Sequence, residues 1–188
     1  MFDRIVIVGT SGSGKTTLAR AVATVLGLRH TELDALHWEP NWTGATRDVF
    51  RARATEATAG DRWVIDGNYT VVRDITWARA DTLVWLDYPM SLVMRRVLWR
   101  TLVRGWTGVE LWNGNRERLL KNFVSRDSIV LWAWTTWRKN RHRYAKLFRS
   151  PEYAGKHRVR LRSPAEADAW VARVARDRSC GLDREASS

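Results

Sequence analysis

Short apolar runs alternate along this chain with longer stretches in which apolar residues recur every three or four positions. Arg4 to Val8 (RIVIV) is a β-branched run ending at Gly9, the pattern of a strand buried on both faces of a parallel sheet. From Lys15 to Leu26 the apolar positions Leu18, Val22, Val25 and Leu26 have helical spacing, and Gly27 supplies a stop. Arg29 to Leu33 predicts a second strand leading to Asp34, and residues 46 to 59 predict a polar, Ala-rich helix. Arg62 to Ile65 leads into Asp66, and Thr82 to Leu86 leads into Asp87, so two further strands each finish on a carboxylate. Arg158 to Leu161 is the last strand candidate. It precedes a helix with Ser163 at the N-cap, Pro164 at the first helical position and Glu166 where a capping box wants it. Five short strands separated by crossover-length segments predict an open α/β domain. Ligands of such folds gather outside the carboxyl ends of the strands. Residues 1–175 read as a single domain, and 176–188, which lacks any period, as a flexible tail.

The segment between the first strand and the first helix changes this picture from architecture to chemistry. Residues 9 to 16, GTSGSGKT, fit GxxxxGKT between a strand and a helix. Gly9, Gly12 and Gly14 let the backbone curl so that successive N–H groups of Thr10, Ser11, Ser13 and their neighbours face a phosphate, aided by the positive end of the helix. Lys15 would reach the β- and γ-phosphates, the Thr16 hydroxyl would ligate Mg²⁺, and Thr17 completes the binding stretch. ATP and Mg²⁺ are therefore the expected cofactors.

The strand-ending acids are the candidate partners of that loop. Mg²⁺ prefers hard oxygen ligands, which makes Asp66 in WVIDGNY the metal candidate beside Thr16; an Asx turn with Gly67 is the alternative reading. Asp34 in LDALHW could accept a proton from a substrate hydroxyl or hold a metal-bound water, unless it only caps a helix. Asp87, followed by Tyr88 and Pro89, reads chiefly as a helix cap. His37 reads as a rim or packing residue, while Trp38 and Trp42 are candidates to line an acceptor pocket.

Charge separates the chain into unequal parts. Of the net +12, residues 91 to 160 contribute 17 Lys and Arg against four acids, which is +13 and leaves the remainder near neutral. Such a patch suits either a nucleic acid or a polyanionic small molecule. Six of the 12 tryptophans lie in the same segment. They read mostly as an aromatic core between two helices, although Arg interleaved with aromatics can also stack nucleic-acid bases. The single cysteine, Cys180, has no internal disulfide partner, and no run approaches a membrane span. A soluble, reducing, cytoplasmic setting is expected, and oligomeric state is not legible.

Together GTSGSGKTTLA, LDALHW, DRWVIDGNY and DTLVWLDYP resemble the small P-loop kinases of the adenylate kinase and shikimate kinase type, and more narrowly the bacterial adenylate-kinase-like or DNA topology modulation proteins. The resemblance covers roughly residues 1 to 165. It implies a three-layer P-loop NTPase fold with a five-stranded parallel sheet in the order 2-3-1-4-5 and a helical lid after the fourth strand, about 91–153. It also implies that the acid of the DG pair lies near the metal. Lid arginines of such kinases close over the triphosphate, and Arg126 and Arg138 are the candidates for that role. The other arginines, including Arg96, Arg100 and Arg104 on one helical face, read as a solvated surface. Adenylate kinases follow their DG with an aromatic residue, proline and a monophosphate-gripping arginine, whereas this chain reads Asp66, Gly67, Asn68, Tyr69. AMP therefore does not carry over as acceptor. The expected activity is transfer of the γ-phosphoryl of ATP to a nucleotide or another small molecule. A nucleotide-dependent regulator bound to DNA or RNA is the alternative.

Overall fold

The structure is a computed structural model that describes residues 2–107, 113 and 126–185. Five parallel strands form the central sheet: β1 (Arg4–Gly9), β2 (Arg29–Glu32), β5 (Trp63–Asp66), β6 (Thr82–Leu86) and β7 (His157–Leu161). Their spatial order is β2-β5-β1-β6-β7, the 2-3-1-4-5 arrangement that the sequence resemblance implies. The helices are α1 (Lys15–Leu26), α2 (Leu33–His37), α3 (Arg47–Ala57), α4 (Arg73–Arg79), α5 (Met90–Thr107), α6 (Arg126–Leu147) and α7 (Pro164–Glu185). Two features depart from the sequence pattern. The second strand stops at Glu32, so Asp34 sits in the short helix α2, and a two-residue antiparallel hairpin, β3 (Trp38–Glu39) with β4 (Thr43–Gly44), follows it.

The β-branched runs of β1 and β5 are buried because helices cover both sheet faces. On one face Ile5, Ile7, Val64 and Val84 pack with Leu18 and Val22 of α1, Val93 and Val97 of α5, and Trp170 and Val174 of α7. On the other, Val6, Val8, Ile65 and Trp85 pack with Phe50 and Ala54 of α3, Trp77 of α4 and Tyr144 of α6. These are the three layers expected of a P-loop protein. Alternate residues of one strand feed opposite cores, as the period of a strand dictates.

Strand register brings the chemistry together. Ile7 pairs with Asp66, Glu32 with Asp66, and Gly9 with Leu86, so the P-loop, Asp66 and Asp87 emerge at one edge of the sheet. The expected flexible tail is instead helical through Glu185. A local reason is visible in Arg178, whose guanidinium donates to the Val25 carbonyl at the end of α1, while Arg62 donates to Leu26 at 2.9 Å. Both satisfy carbonyls that a helix end leaves without partners. Among the described residues no helix is long and apolar enough to cross a membrane.

Candidate active site around the phosphate loop

The loop leaves β1 and re-enters the helical layer at α1, as the glycine spacing predicts. Gly14 precedes α1 in the left-handed region with φ 92°, and Ser13 N–H donates to Thr10 C=O at 3.0 Å to close the turn. The Ser13 hydroxyl is buried and has no hydrogen-bond partner. An unpaired buried donor is costly unless a ligand oxygen meets it. Its position in a curled Gly-rich loop at a helix N-terminus fits phosphate.

Lys15, Thr16, Asp66 and Asp34 converge beside this loop. Thr16 Oγ1 donates to Asp66 Oδ2 at 2.9 Å, so the two oxygens expected near the metal are neighbours. Asp66 is only 4% exposed, and its other oxygen, Oδ1, meets His30 Nε2 at 2.7 Å. The Asx-turn alternative for Asp66 is thus displaced by pairing across the sheet. The residue fit to Mg²⁺ is good, because a threonine hydroxyl and one carboxylate leave positions for phosphate oxygens and water. Among the described residues there is no cluster of three or more His, Cys, Asp or Glu suited to a protein-only cage. Burial pushes the Lys15 ammonium below its ordinary pKa. Asp66, Asp34 and Glu32 pull the other way, and Arg100 adds to the lowering. Lys15 is therefore within electrostatic reach of the acids on both sides of the site.

Asp34 is no helix cap: α2 begins after Glu32, and no side chain caps it. The Tyr69 hydroxyl donates to Asp34 Oδ1 at 2.6 Å. Burial pushes the Tyr69 phenol far up, and the bond and charge of Asp34 push it further, so Tyr69 remains a donor at neutral pH. His37 packs among Trp38, Phe50 and Tyr69, with ring centroids 4.8 to 5.0 Å away. Trp38 and Trp42 meet edge to face at 5.5 Å. An aromatic wall therefore stands beside Asp34, and an adjoining cavity of about 540 Å³ is lined by Ala35, Leu36, Glu39, Pro40, Arg53 and Asn113.

Two arginines of α5 meet the cradle. Arg96 Nη1 donates to the Ser13 carbonyl at 3.0 Å and Arg100 Nη2 to Ser11 Oγ at 3.1 Å, which corrects their reading as a solvated face. The packing of α5 on the loop explains it. A Cβ on Gly12, whose φ is 80°, would lie 2.5 Å from Val97 Cγ2, so only glycine lets the helix come this close. Arg138 is exposed on α6, and the Arg126 side chain lies outside the described residues, as do those of Arg104, Trp106, Trp112, Trp132 and Trp134. Asp87 holds Arg141 at 3.1 Å and Arg160 at 2.9 Å, while Trp137 Nε1 donates to the Tyr88 carbonyl at 3.0 Å. Asp87 thus anchors α6 to the sheet. Sequence reasoning missed His30, Asn68, Tyr144, Arg96 and Arg100 as site neighbours. Only the i, i+4 spacing of Arg96 and Arg100 offered a signal.

Comparison with known proteins bears on the fold that carries these residues. The model for the ATPase family associated with various cellular activities (AAA) matches residues 5–66, the stretch from β1 through Asp66. Shikimate kinase 3, chloroplastic, from Oryza sativa subsp. japonica is 27% identical over 108 residues, which span 50% of this chain and only 38% of that protein. Shikimate kinase from Synechococcus elongatus is 28% identical over 137 residues, covering 60% of this chain and 70% of the relative. The crystal structure of shikimate kinase from Bacteroides thetaiotaomicron superposes with a TM-score of 0.58 at 17% identity, covering 93% of this chain and 97% of that one. The chain therefore has the fold of a P-loop kinase of the shikimate kinase type.

Proposed function

We propose that this protein is an ATP-dependent phosphotransferase acting on a small hydroxyl-bearing acceptor. The observation that carries the reading is geometric: beside a Gly-rich loop whose buried Ser13 hydroxyl has no partner, Thr16 meets Asp66 at 2.9 Å and Tyr69 holds Asp34 at 2.6 Å. The loop N–H groups and Lys15 would hold the β- and γ-phosphates, and Arg96 and Arg100 would add positive charge where charge develops in the transition state. Thr16 and Asp66 would hold Mg²⁺, which neutralises phosphate charge when bound. Asp34 would accept the proton of the acceptor hydroxyl as its oxygen attacks the γ-phosphorus. The bond from that phosphorus to the β,γ-bridging oxygen then breaks, and ADP leaves. Tyr69 fixes the Asp34 carboxylate and, being held protonated, does not compete for the proton. The aromatic residues beside Asp34 suit an acceptor with a ring. The finer placement among adenylate-kinase-like proteins of the DNA topology modulation group rests on the order and spacing of GTSGSGKTTLA, LDALHW, DRWVIDGNY and DTLVWLDYP.

The test is a coupled assay of ADP formation over nucleosides, nucleoside monophosphates, sugars and shikimate, run with Lys15→Ala and Asp34→Asn. Acceptor-dependent turnover that is lost in both variants is the expected result. A wild type indistinguishable from Lys15→Ala on every acceptor, together with a salt-sensitive, Lys15-independent affinity for DNA, would sink the kinase reading in favour of a nucleic-acid-bound regulator.

A further inference from the structure

The DGNY turn departs from the adenylate kinase pattern, and the proposed chemistry uses its Asp66 and Tyr69 but leaves Asn68 without a role. The structure supplies partners for it. Where β5 ends at Asp66, the backbone still pairs once more, with Gly67 N–H donating to the Ile7 carbonyl at 3.2 Å. Beyond that point the Asn68 side chain takes over from the strand. Its Oδ1 accepts from Gly9 N–H at 3.2 Å and its Nδ2 donates to the Gly9 carbonyl at 2.6 Å. A carboxamide has the donor and acceptor of a peptide group, so it can replace a missing strand residue on both sides of Gly9. Gly9 is the first residue of the phosphate loop.

The same oxygen has a second donor. Tyr144 of α6 gives its hydroxyl to Asn68 Oδ1 at 2.8 Å, and Tyr144 is 2% exposed among Trp77 and Trp85. Two donors on one oxygen fix which way the amide faces, because a flipped amide would turn its NH₂ toward Gly9 N–H. The neighbouring residue repeats the link, since Arg143 of α6 also donates to Thr70 Oγ1. Helix α6 is therefore tied to the start of the cradle through one side chain.

We infer that Asn68 is a positioning residue that sets the first turn of the phosphate loop, and that Tyr144 orients it from α6, so the packing of α6 governs nucleotide affinity. This inference rests on the proposed phosphotransferase reading only in taking the cradle to bind ATP. Loss of the Tyr144 hydroxyl removes one donor and frees the amide to rotate, while the ring continues to fill the core. Loss of the Asn68 amide leaves Gly9 N–H and C=O without partners at the mouth of the loop.

The test measures binding of the β,γ-imido analogue of ATP by calorimetry, with hydrogen exchange of the Gly9 amide as an independent readout. Asn68→Ala is expected to weaken binding by about tenfold or more and Tyr144→Phe by about threefold to tenfold, both with faster Gly9 exchange. The double variant should be no weaker than Asn68→Ala alone, because the hydroxyl acts through the amide. Tyr153→Phe, which removes a hydroxyl from the same aromatic cluster without reaching the loop, should stay within about twofold. If Asn68→Ala does not fold, Tyr144→Phe against Tyr153→Phe carries the test alone. Equal effects of those two variants, or losses that multiply in the double variant, would overturn the inference. A wild type that does not bind the analogue, or that binds it as Lys15→Ala does, would instead overturn the nucleotide-cradle reading itself.

Discussion

Raising the pH through the tyrosine range should destabilise this protein, and the share that belongs to one buried hydroxyl can be isolated with a single variant. The Tyr144 phenol is pushed up from 10.0 to about 12 by burial, with Arg143 and Arg73 pulling it back down. A raised native pKa means that the folded state holds the proton more tightly than the unfolded chain. Its stabilising contribution is complete below about pH 10 and is lost as the pH climbs toward about 12. At 1.36 kcal/mol per unit, the full loss is about 2.7 kcal/mol, of which about 1.4 kcal/mol has gone by about pH 11. Tyr144→Phe keeps the ring against Trp77 and Trp85 and removes the proton. At about pH 8 it forfeits the hydrogen bond to Asn68, a cost of about 1 kcal/mol. The stability gap between wild type and variant should therefore close or change sign by about pH 11. Tyr153, also pushed to about 12, is present in both proteins and cancels from the comparison. Urea unfolding followed by tryptophan fluorescence at the two pH values measures the gap directly. A gap that stays constant between them would refute the assignment of this proton to Tyr144.

Two further outcomes follow from the contact between α5 and the cradle. Gly12→Ala should destabilise the fold by about 1 to 3 kcal/mol and abolish ATP binding, because the new methyl meets Val97 and the φ of 80° disfavours any side chain. Adding Val97→Ala should recover part of the stability, and a double variant no better than the single would assign the whole cost to the backbone. Arg100→Ala should raise the Kd for ATP by about tenfold or more, with Arg138→Ala close to wild type in calorimetric titration. The reverse ranking would return the clamp to the arginine that the sequence favoured.

Which arginine serves the cradle marks the boundary of what a sequence can say here. Arg96, Arg100, Arg126 and Arg138 are the same residue type in the same basic segment, and the i, i+4 spacing of the first two says only that they share a helical face, not what that face meets. Only the crossing of α5 over Gly12 distinguishes the first two. Asp66, Asp34 and Asp87 likewise look alike as acids near strand ends. The structure gives them three different partners: Thr16 and His30 for Asp66, Tyr69 for Asp34, and Arg141 with Arg160 for Asp87. Each partner comes from a different element, and some are more than 70 residues distant in the chain.

The chain by itself determined the five strands of the central sheet, the Gly-rich loop that curls at the end of the first and the helix that follows it. These depend on residues within a few positions of one another: β-branched runs, glycines that permit left-handed backbone, and apolar residues at helical spacing. The motif resemblance added the strand order. Tertiary structure alone decided that the apparently frayed tail continues as helix, with Arg178 seated on the end of α1. It alone placed His30 against Asp66 and made the Asn68 amide a surrogate strand residue for Gly9. The last two outcomes depend on parallel pairing between segments 36 and 59 residues apart, which no local period encodes.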